Sequence, residues 1–401
     1  MVPPTADTPW SAVPDYENTP LLSDIIPAAA LSLGAGHIVD SAARVRAEYL
    51  GLDTEARVIM VVLVDGMGYE LLQQRMAHAP FLRSMLPEAA SLSAGFPTTT
   101  ANSLSSLGTG LLPGAHGVLG YRLLDPESHR LFNQLSWNLD VDPHIWVPDT
   151  TLFERLVSAG VDVVSLGEPK FAGRGLNRAS LRGGRFRGSH TFGERLEHAK
   201  EELAKPGRRL IYFYWGNLDK LGHIHGLDSW EWLRELEAVD AGLAECAEAL
   251  TTDASLLITA DHGMVNVHHR IDIAEHPELQ HGVRHVGGEA RAVYLYTEAG
   301  AASEVQAAYS EFLGNRATVL RRDEAIRGGL FGPVADRNRS RIGDVLVLSA
   351  QGYGVVDSRT EHPATLALIG HHGGLSTAEL TIPLLSPKTS LSGGARKSPR
   401  N

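Results

Sequence analysis

Three apolar segments of this sequence are each followed by an aspartate, and two of those aspartates have a histidine nearby. The sets are residues 57–64 with Asp65, residues 209–215 with Asp219 and His223, and residues 255–259 with Asp261 and His262. Continuous apolar runs of this length are typical of strands buried on both faces of a parallel sheet. Because ligands of open α/β sheets bind beyond the carboxyl ends of the strands, these acids and imidazoles are candidate ligands for a metal ion.

The spacing within two of these sets fits a shared ion. Asp219 and His223 are four residues apart, so in a helical turn they lie on one face and offer an oxygen and a nitrogen to a single ion. Asp261 and His262 are adjacent and would face opposite ways in a flat strand. They can meet one ion where the chain turns, and Gly263 permits that turn.

A threonine-rich stretch, residues 96–110, is the second place where the sequence could do chemistry. Thr98, Thr99 and Thr100 follow a proline and precede leucines at helical spacing. Thr100 or Asn102 is the predicted N-cap of this helix. A hydroxyl there lies beside free backbone N–H groups and the positive end of the helix dipole, which suits a phosphate group. An ordinary cap without chemistry is the alternative.

Histidines and arginines form further candidate groups. His371 and His372 are a pair in a tight loop flanked by glycines. Residues 170–190 contain five arginines among glycines, and we interpret them as a solvated loop, with contact to an anionic substrate as the alternative. The five are Arg174, Arg178, Arg182, Arg185 and Arg187. Arg291 is interpreted as a surface residue, with a substrate contact as the alternative.

The composition excludes several classes of function. Of the 401 residues, 43% are hydrophobic and 21% are charged, which indicates a globular protein with a sizeable core. The net charge of −11 argues against a nucleic acid polymer as partner. No apolar run approaches the roughly 18–20 residues that a membrane-spanning helix needs. The sequence has one cysteine, Cys246, which is predicted to lie in the core, so an internal disulfide is excluded. Because no secretory signal is visible either, we expect a cytoplasmic protein.

The alternation of predicted strands and helices indicates an α/β fold with a mostly parallel central sheet sandwiched by helices. Further strands are predicted at residues 161–166, 292–296, 317–320 and 344–349, and helices at residues 21–33, 69–76, 149–159, 229–250 and 303–313. Residues 1–386 are predicted to form one domain. A small inserted cap or lid is expected within the His- and Glu-rich, irregular residues 266–291, within residues 125–190, or in both. Residues 387–401 are predicted to be a disordered tail.

The order of these motifs resembles the alkaline phosphatase superfamily, and within it the type I phosphodiesterase/nucleotide pyrophosphatase family. The matching pieces follow the family's order from about residue 57 to residue 385. They are Val64-Asp65-Gly66, Pro97-Thr98-Thr99-Thr100 with Thr109-Gly110, Asp219 with His223, Thr259-Ala260-Asp261-His262-Gly263-Met264, and His372-Gly373-Gly374. Each piece is short, but five pieces in the same order form a specific pattern. The resemblance implies an alkaline phosphatase-like fold.

The resemblance also implies a pair of divalent metal ions, Zn²⁺ with Mn²⁺ or Fe as alternatives. The implied ligands are Asp65, Thr100, Asp261 and His262 for one ion, and Asp219, His223 and His372 for the other. The family's motif spacing assigns the nucleophile to Thr100, with Thr99 as the alternative. His371 would lie behind the ligands, with the alternative that it replaces His372 as the ligand.

The function that the resemblance implies is a metal-dependent phosphodiesterase or nucleotide pyrophosphatase. It would hydrolyse a small phosphate ester or nucleotide through a phosphothreonine intermediate, since coordination to a dication favours the alkoxide of a threonine. Where the family usually has an asparagine that binds a phosphoryl oxygen, ungapped spacing puts Tyr121, which becomes the candidate substrate-binding residue and leaves the substrate class open. The alternatives are a phosphomonoesterase or phosphonate hydrolase of the same superfamily, a transferase of a phosphoryl-linked group, and a metal-free binding protein.

Overall fold

The computed structural model describes residues 13–52 and 56–387. The predicted tail lies outside the described residues from residue 388 onward. The segment 1–12, on which the prediction of no secretory signal rests, lies outside them as well. Within the described residues, no helix combines the length and the hydrophobicity needed to cross a bilayer.

Strands are distributed along most of the described chain. In chain order they are β1 (Val58–Val64), β2 (Ala90–Ser93), β3 (Arg122–Asp125), β4 (Arg130–Asn133), β5 (Asp162–Gly167), β6 (Arg185–Gly188), β7 (Arg209–Trp215), β8 (Ala254–Thr259), β9 (Val265–Asn266), β10 (His269–Asp272), β11 (Val283–Glu289), β12 (Ala292–Thr297), β13 (Ala317–Arg321), β14 (Val345–Ser349), β15 (Tyr353–Val356), β16 (Gly370–His371) and β17 (Thr381–Leu385).

Helices connect most of these strands. They are α1 (Ile25–Ser32), α2 (Ser41–Tyr49), α3 (Tyr69–Gln74), α4 (Pro80–Met85), α5 (Thr100–Thr109), α6 (Pro113–His116), α7 (Pro143–Trp146), α8 (Leu152–Ser158), α9 (Gly175–Ser180), α10 (Phe192–Leu203), α11 (Asn217–His225), α12 (Trp230–Glu248), α13 (Pro277–Gln280), α14 (Ala302–Leu313), α15 (Arg322–Arg327), α16 (Asp336–Arg339), α17 (Pro363–Leu366) and α18 (Thr377–Leu380).

The central sheet has seven strands in the order β2-β17-β8-β1-β7-β5-β6. The five strands from β8 to β6 pair in parallel, whereas β17 runs antiparallel to both of its neighbours. All seven residues of β1 are buried, because this strand lies in the middle of the sheet and helices flank the sheet. The predicted α/β fold with a mostly parallel central sheet is therefore confirmed.

A second, four-stranded antiparallel sheet has the order β11-β12-β14-β13. Its apolar side chains form a separate core with α14. The expectation that residues 266–291 are irregular is wrong, because they contain β10 and β11. The pattern of β11 is hidden in the sequence by Gly287 and Gly288 and by its polar residues, so its partner β12 defines it as a strand.

The arginine-rich residues 170–190 are not a solvated loop either. They contain α9 and β6, and β6 is the edge strand that pairs in parallel with β5. Cys246 is fully buried in α12, as the sequence predicts. The division into one domain with a cap stays a prediction.

Candidate metal centre and active site

The carboxyl ends of three neighbouring strands bring the predicted acids to one edge of the central sheet. The strands β8, β1 and β7 are adjacent and parallel, so their carboxyl ends point the same way. Asp65 directly follows β1, Asp219 lies in the first turn of α11 just after β7, and Asp261 follows β8. Parallel pairing therefore clusters carboxylates that are far apart in the sequence.

The hydroxyl of Thr100 faces this cluster. Thr100 is the first residue of α5 and is 6% exposed. Its Oγ1 lies 3.2 Å from Nε2 of His262 and 3.5 Å from Oδ2 of Asp65. One threonine hydroxyl, one imidazole and one carboxylate thus meet at a single point.

The start of α5 differs from the sequence-based prediction. The N-cap is Thr99, in an extended conformation and without a side-chain capping bond, so the assignment of Thr100 or Asn102 as N-cap is wrong. The Asn102 side chain instead donates a hydrogen bond to the carbonyl of Pro97 at 2.7 Å. This bond ties the preceding turn to the helix and leaves the Thr100 hydroxyl directed at the acids.

Two groups of side chains offer ligand atoms to a metal ion. In each group the ligand atoms lie within 4.8 Å of one another. The first group is Asp65, Asp219 and His262, and the second is Asp219, His223 and His372. Asp219 belongs to both groups, although the resemblance assigns it to one ion. The described residues therefore include Asp and His groups that could bind a metal, and one carboxylate lies between the two candidate positions.

Three carboxylate oxygens in this cluster are buried without a hydrogen-bond partner among the described residues. They are Oδ1 of Asp65, Oδ1 of Asp219 and Oδ2 of Asp261. A buried carboxylate oxygen without a partner destabilises the folded state, because it has lost its hydrogen bonds to water and forms none within the protein. Oxygens in this state, next to imidazole nitrogens, fit the donor set that divalent zinc, manganese or iron uses in proteins.

Backbone carbonyls fix the orientation of two of the histidines. Nδ1 of His223 donates to the carbonyl of Gly370 at 2.7 Å, and Nδ1 of His372 donates to the carbonyl of Thr98 at 2.8 Å. These bonds leave both Nε2 atoms facing the carboxylate of Asp219. Nε2 of His223 lies 3.3 Å from Oδ2 of Asp219, and Nε2 of His372 lies 3.8 Å from Oδ1. A ligating histidine is oriented in the same way, with its second nitrogen donating to an acceptor outside the metal site.

The turn after β8 orients Asp261 by hydrogen bonds to one of its two carboxylate oxygens, while the other oxygen stays unbonded. Oδ1 accepts the backbone N–H groups of Gly66 at 3.1 Å and of His262 at 3.0 Å. Oδ2 lies 3.4 Å from Nε2 of His262 and has no hydrogen bond. Gly66 has a φ of +74°, which a residue with a side chain rarely adopts, so a glycine is required at this point.

The electrostatics of the cluster also favour a cation. Burial raises the pKa of Asp65 well above its usual range, and the charges of Asp261 and Asp219 raise it further. Burial likewise raises the pKa of Asp261. For Asp219 the adjacent His223 outweighs the effect of burial and lowers the pKa, and Asp219 in turn raises the pKa of His223 to about 9 against the effect of burial. A bound dication would relieve the repulsion between these buried acids.

A cavity of about 170 Å³ opens beside Thr100. Its walls are mainly aliphatic and aromatic side chains from β5, β6, β7 and the segment around α9. The lining includes Asp65, Thr100, Asp219, Leu104, Leu135, Ser165, Leu166, Phe171, Arg174, Leu176, Asn177, Leu181, Phe186, Tyr212 and Tyr214. The site therefore combines a polar, metal-competent end with an apolar chamber.

Two residues near the cluster escape prediction from the sequence. The Tyr214 hydroxyl donates to Oδ2 of Asp65, and in the sequence this tyrosine is only one of several aromatic residues of β7. Glu289, at the end of β11, has a side chain that is 11% exposed, and its Oε2 lies 3.5 Å from Nδ1 of His372. Removal from water raises the pKa of this carboxyl. No sequence signal points to Glu289, because its strand belongs to the other sheet.

Other candidate residues belong to neither ligand group. Tyr121 precedes β3, is half-buried, does not line the cavity, and its hydroxyl makes no hydrogen bond to another described residue, so its role stays a prediction. Nε2 of His371 faces the carbonyl of Leu368 at 3.1 Å and belongs to neither ligand group, while its ring packs edge-on against that of His223 with the centroids 6.1 Å apart. The interpretation of Arg291 as a surface residue is wrong, because it is 1% exposed and pairs with buried Glu379 at 2.9 Å.

The choice between the adjacent histidines can be tested directly. His372→Ala removes an imidazole that faces Asp219, so we expect zinc affinity to fall roughly 10- to 100-fold or more. In His371→Ala the affinity should fall less, by about tenfold at most, since this ring packs against His223 but its Nε2 faces a backbone carbonyl. Zinc titration of both purified variants, followed by elemental analysis, measures the difference. The reverse ranking would make His371 the ligand.

The sequence is similar to a known protein family and to a yeast protein. The sequence profile of the type I phosphodiesterase / nucleotide pyrophosphatase family matches residues 59–375. An uncharacterised pyrophosphatase/phosphodiesterase of Schizosaccharomyces pombe is 25% identical over 204 residues, which are 48% of this chain and 39% of the yeast protein. The chain thus matches about two fifths of the length of that relative.

Solved structures share the fold at low sequence identity. Murine ectonucleotide pyrophosphatase / phosphodiesterase 5 superposes with a TM-score of 0.66 and 18% identity, covering 81% of this chain and 87% of the murine chain. An inactive threonine-to-alanine variant of the murine protein, in complex with AMP, has a TM-score of 0.65 at 18% identity, with the same coverage of both chains.

Phosphonoacetate hydrolase from Sinorhizobium meliloti, in complex with phosphonoacetate, has a TM-score of 0.62 and 19% identity and covers 83% of this chain and 90% of the bacterial chain. At such identities the structural similarity establishes the fold, whereas the match of the family profile over most of the chain establishes the family. The chain belongs to the type I phosphodiesterase / nucleotide pyrophosphatase family.

Proposed function

We propose that this protein is a metal-dependent hydrolase of phosphate diester or pyrophosphate bonds, and that Thr100 is its nucleophile. The observation that carries the proposal is the position of the Thr100 hydroxyl, 3.2 Å from His262 and 3.5 Å from Asp65, two residues of the first ligand group. Membership of the family supports the same reaction. The inactive threonine-to-alanine variant of the murine protein that binds AMP supports a threonine in the catalytic role.

The proposed ligands are those that the resemblance implies: Asp65, Thr100, Asp261 and His262 around one divalent ion, and Asp219, His223 and His372 around the other. We place Asp219 between the two positions, because it belongs to both ligand groups. Bound zinc, manganese or iron would supply positive charge that favours the ionised hydroxyl and offsets the negative charge of the phosphoryl group. The carbonyls that bind His223 and His372 keep their Nε2 atoms directed at the site.

The residues of the chain then act in a fixed sequence. The Thr100 hydroxyl loses its proton to water as its oxygen attacks phosphorus. A new P–O bond forms, the P–O bond to the leaving group breaks, and the leaving oxygen takes up a proton from water, which gives a phosphothreonine. Water then attacks the same phosphorus, the P–O bond to Thr100 breaks, a proton of that water restores the Thr100 hydroxyl, and the phosphate product is released. Because Thr100 is nearly buried, the bound phosphoryl group would be shielded from bulk water.

The apolar cavity beside Thr100 favours a diester over a monoester. A phosphate monoester has one organic group, whereas a diester has a second group that could fill the roughly 170 Å³ chamber. Burial of that group would add transition-state binding energy that a monoester cannot obtain. We therefore rank phosphodiesterase or pyrophosphatase activity above phosphomonoesterase activity. Phosphonate hydrolysis is the second candidate, favoured by the shared fold with phosphonoacetate hydrolase.

The proposed compartment is the cytoplasm, since the single cysteine, Cys246, is buried and free. The proposed partner is a small phosphate ester or nucleotide rather than a nucleic acid polymer, because the net charge is −11.

A substrate panel tests the proposed function. With zinc or manganese, kcat/KM for bis-p-nitrophenyl phosphate should exceed that for p-nitrophenyl phosphate by roughly 10- to 200-fold, the range that filling an apolar pocket provides. A dinucleotide and phosphonoacetate complete the panel, with hydrolysis followed by release of p-nitrophenolate, nucleotide or phosphate. A preference for the monoester would contradict the assignment, and turnover of phosphonoacetate alone would support the second candidate.

A further inference from the structure

The five arginines between residues 174 and 187 differ in how they are paired. Three of them form ion pairs that stabilise the fold, namely Arg182 with Glu154, Arg185 with Asp162 and Glu202, and Arg187 with Glu201 and Glu202. No carboxylate among the described residues lies within ion-pair distance of Arg174 or Arg178. These two guanidinium groups therefore carry positive charge that the protein does not neutralise.

Arg174 differs from Arg178 in its position relative to the site. Arg174 is exposed and lines the cavity that reaches Thr100. It also lines a second, more open groove, whose other residues are Ser136, Trp137, Leu139, Asp140, Val141, Asp142, Pro143, Gly173, Gly175 and Arg178. Arg178 lines only this open groove. Nε of Arg174 donates to the carbonyl of Lys170 at 3.1 Å, which anchors the guanidinium on the turn before α9. Its two terminal nitrogens make no hydrogen bond with another described residue. An anchored arginine with two free terminal nitrogens is prepared to bind an anion in a bidentate manner.

The chamber between Thr100 and Arg174 is apolar. Leu104, Leu166, Leu176, Phe171 and Phe186 are among the side chains that line it. Arg174 also lines the open groove, so it stands where the cavity meets solvent, whereas Thr100 lies at the nearly buried end. The cavity is thus lined both by the nearly buried hydroxyl of Thr100 and by the exposed, unpaired guanidinium of Arg174.

The acidic residues that line the cavity, Asp65 and Asp219, belong to the candidate metal ligands, so the acidic residues near Arg174 lie outside the cavity. Asp140 and Asp142 line the open groove together with Arg174, but neither lines the cavity. Oδ1 of Asp142 already accepts the N–H of His144 at 2.9 Å as the cap of α7. Asn177, which does line the cavity, is a further neutral donor on the same side.

We propose that Arg174 determines specificity by binding a second anionic group of the substrate, separated from the reacting phosphoryl group by an apolar or aromatic segment. This inference rests on the proposed phosphodiesterase activity and narrows its substrate class. The second anionic group is a carboxylate or a phosphate on an ester group long enough to reach Arg174. Both anions accept the bidentate hydrogen bonds that a guanidinium donates.

Two diesters of nearly equal shape test this role. Bis-p-nitrophenyl phosphate carries neutral nitro groups, and bis(4-carboxyphenyl) phosphate carries planar carboxylates at the same positions. Both ester groups are identical in each compound, so it does not matter which of them enters the cavity. Kinetics with wild type, Arg174→Gln and the matched control Arg178→Gln give kcat/KM for each substrate, by release of p-nitrophenolate or 4-hydroxybenzoate.

In Arg174→Gln we expect the ratio of kcat/KM for the dicarboxylate to kcat/KM for the dinitro compound to fall roughly tenfold or more, because a charge-assisted hydrogen bond is lost. In Arg178→Gln the ratio should stay within about twofold of wild type. An unchanged ratio in Arg174→Gln, or an equal loss in both variants, would overturn the inference while leaving the diesterase activity in place. If wild type hydrolysed neither diester, the proposed function itself would fail.

Discussion

Thr100→Ala is expected to reduce hydrolysis of bis-p-nitrophenyl phosphate by roughly 10⁴-fold or more, the scale seen when a covalent nucleophile is removed. The substitution deletes the hydroxyl that lies 3.2 Å from His262 and 3.5 Å from Asp65. The carboxylates and imidazoles remain, so metal content measured by elemental analysis should stay close to that of wild type. Steady-state kinetics on the metal-loaded enzyme measures the effect.

Thr99→Ala is the matched control for this experiment. Thr99 is the neighbouring threonine and the N-cap of α5, but its side chain makes no capping bond. We expect this variant to retain activity within about tenfold of wild type, because Thr99 does not line the cavity and its hydroxyl interacts with the Glu289 carboxyl rather than with Asp65 or His262. Loss of activity in Thr99→Ala together with full activity in Thr100→Ala would assign the nucleophile to Thr99.

Asp219→Asn should cause the largest loss of metal of any single ligand substitution. Asp219 belongs to both ligand groups, so the substitution weakens both positions at once. We expect fewer than one ion per chain after dialysis and an activity loss beyond roughly 100-fold, since changes behind the ligands alone already cost 10- to 100-fold. Metal analysis and kinetics on the same preparation measure both effects.

Chelation of the bound ions should lower the stability of the wild-type protein. If an ion is present at about 1,000 times its dissociation constant, removal of that one ion costs about 4 kcal/mol, or roughly 5 °C in Tm for a chain of 401 residues. Asp228→Asn is the control for Asp219→Asn, because it makes the same change at an aspartate that pairs with Arg75 and whose side chain is 75% exposed. We expect it to keep the metal content of wild type. Full metal content in Asp219→Asn would contradict the shared position of this carboxylate.

The parts of the fold that the sequence predicts are those with a strong local pattern. The strands β1, β7 and β8 are continuous apolar runs, because each is covered on both faces. The short strand β2 has the sequence Ala-Ser-Leu-Ser, which carries no such pattern, and β11 contains two glycines. The position of β17 between β2 and β8 depends on contacts between distant segments, which no local pattern records.

The same distinction applies to the candidate site. Asp65, Asp219 and Asp261 follow recognisable strands, so their convergence follows from parallel topology. His372 is reached only through the family resemblance, because it lies in a loop whose position depends on the pairing of β16 with β9. Glu289 and Tyr214 could not be found, since their proximity to the ligands depends on packing between sheets and on strand register.

The antiparallel strand β17 has a consequence for how this protein is made. Within the central sheet it is the partner that β2 pairs with, and it joins β2 to β8, yet the ribosome translates it long after both. Until β17 emerges, β2 lacks this neighbour, and the chain around it is held by the bridge between Ser93 and Leu21 and by the Phe96 N–H, which donates to the Tyr16 hydroxyl at 3.0 Å. Because β17 and the proposed ligand His372 are both translated after β8, the nascent chain should acquire catalytic competence late in its synthesis.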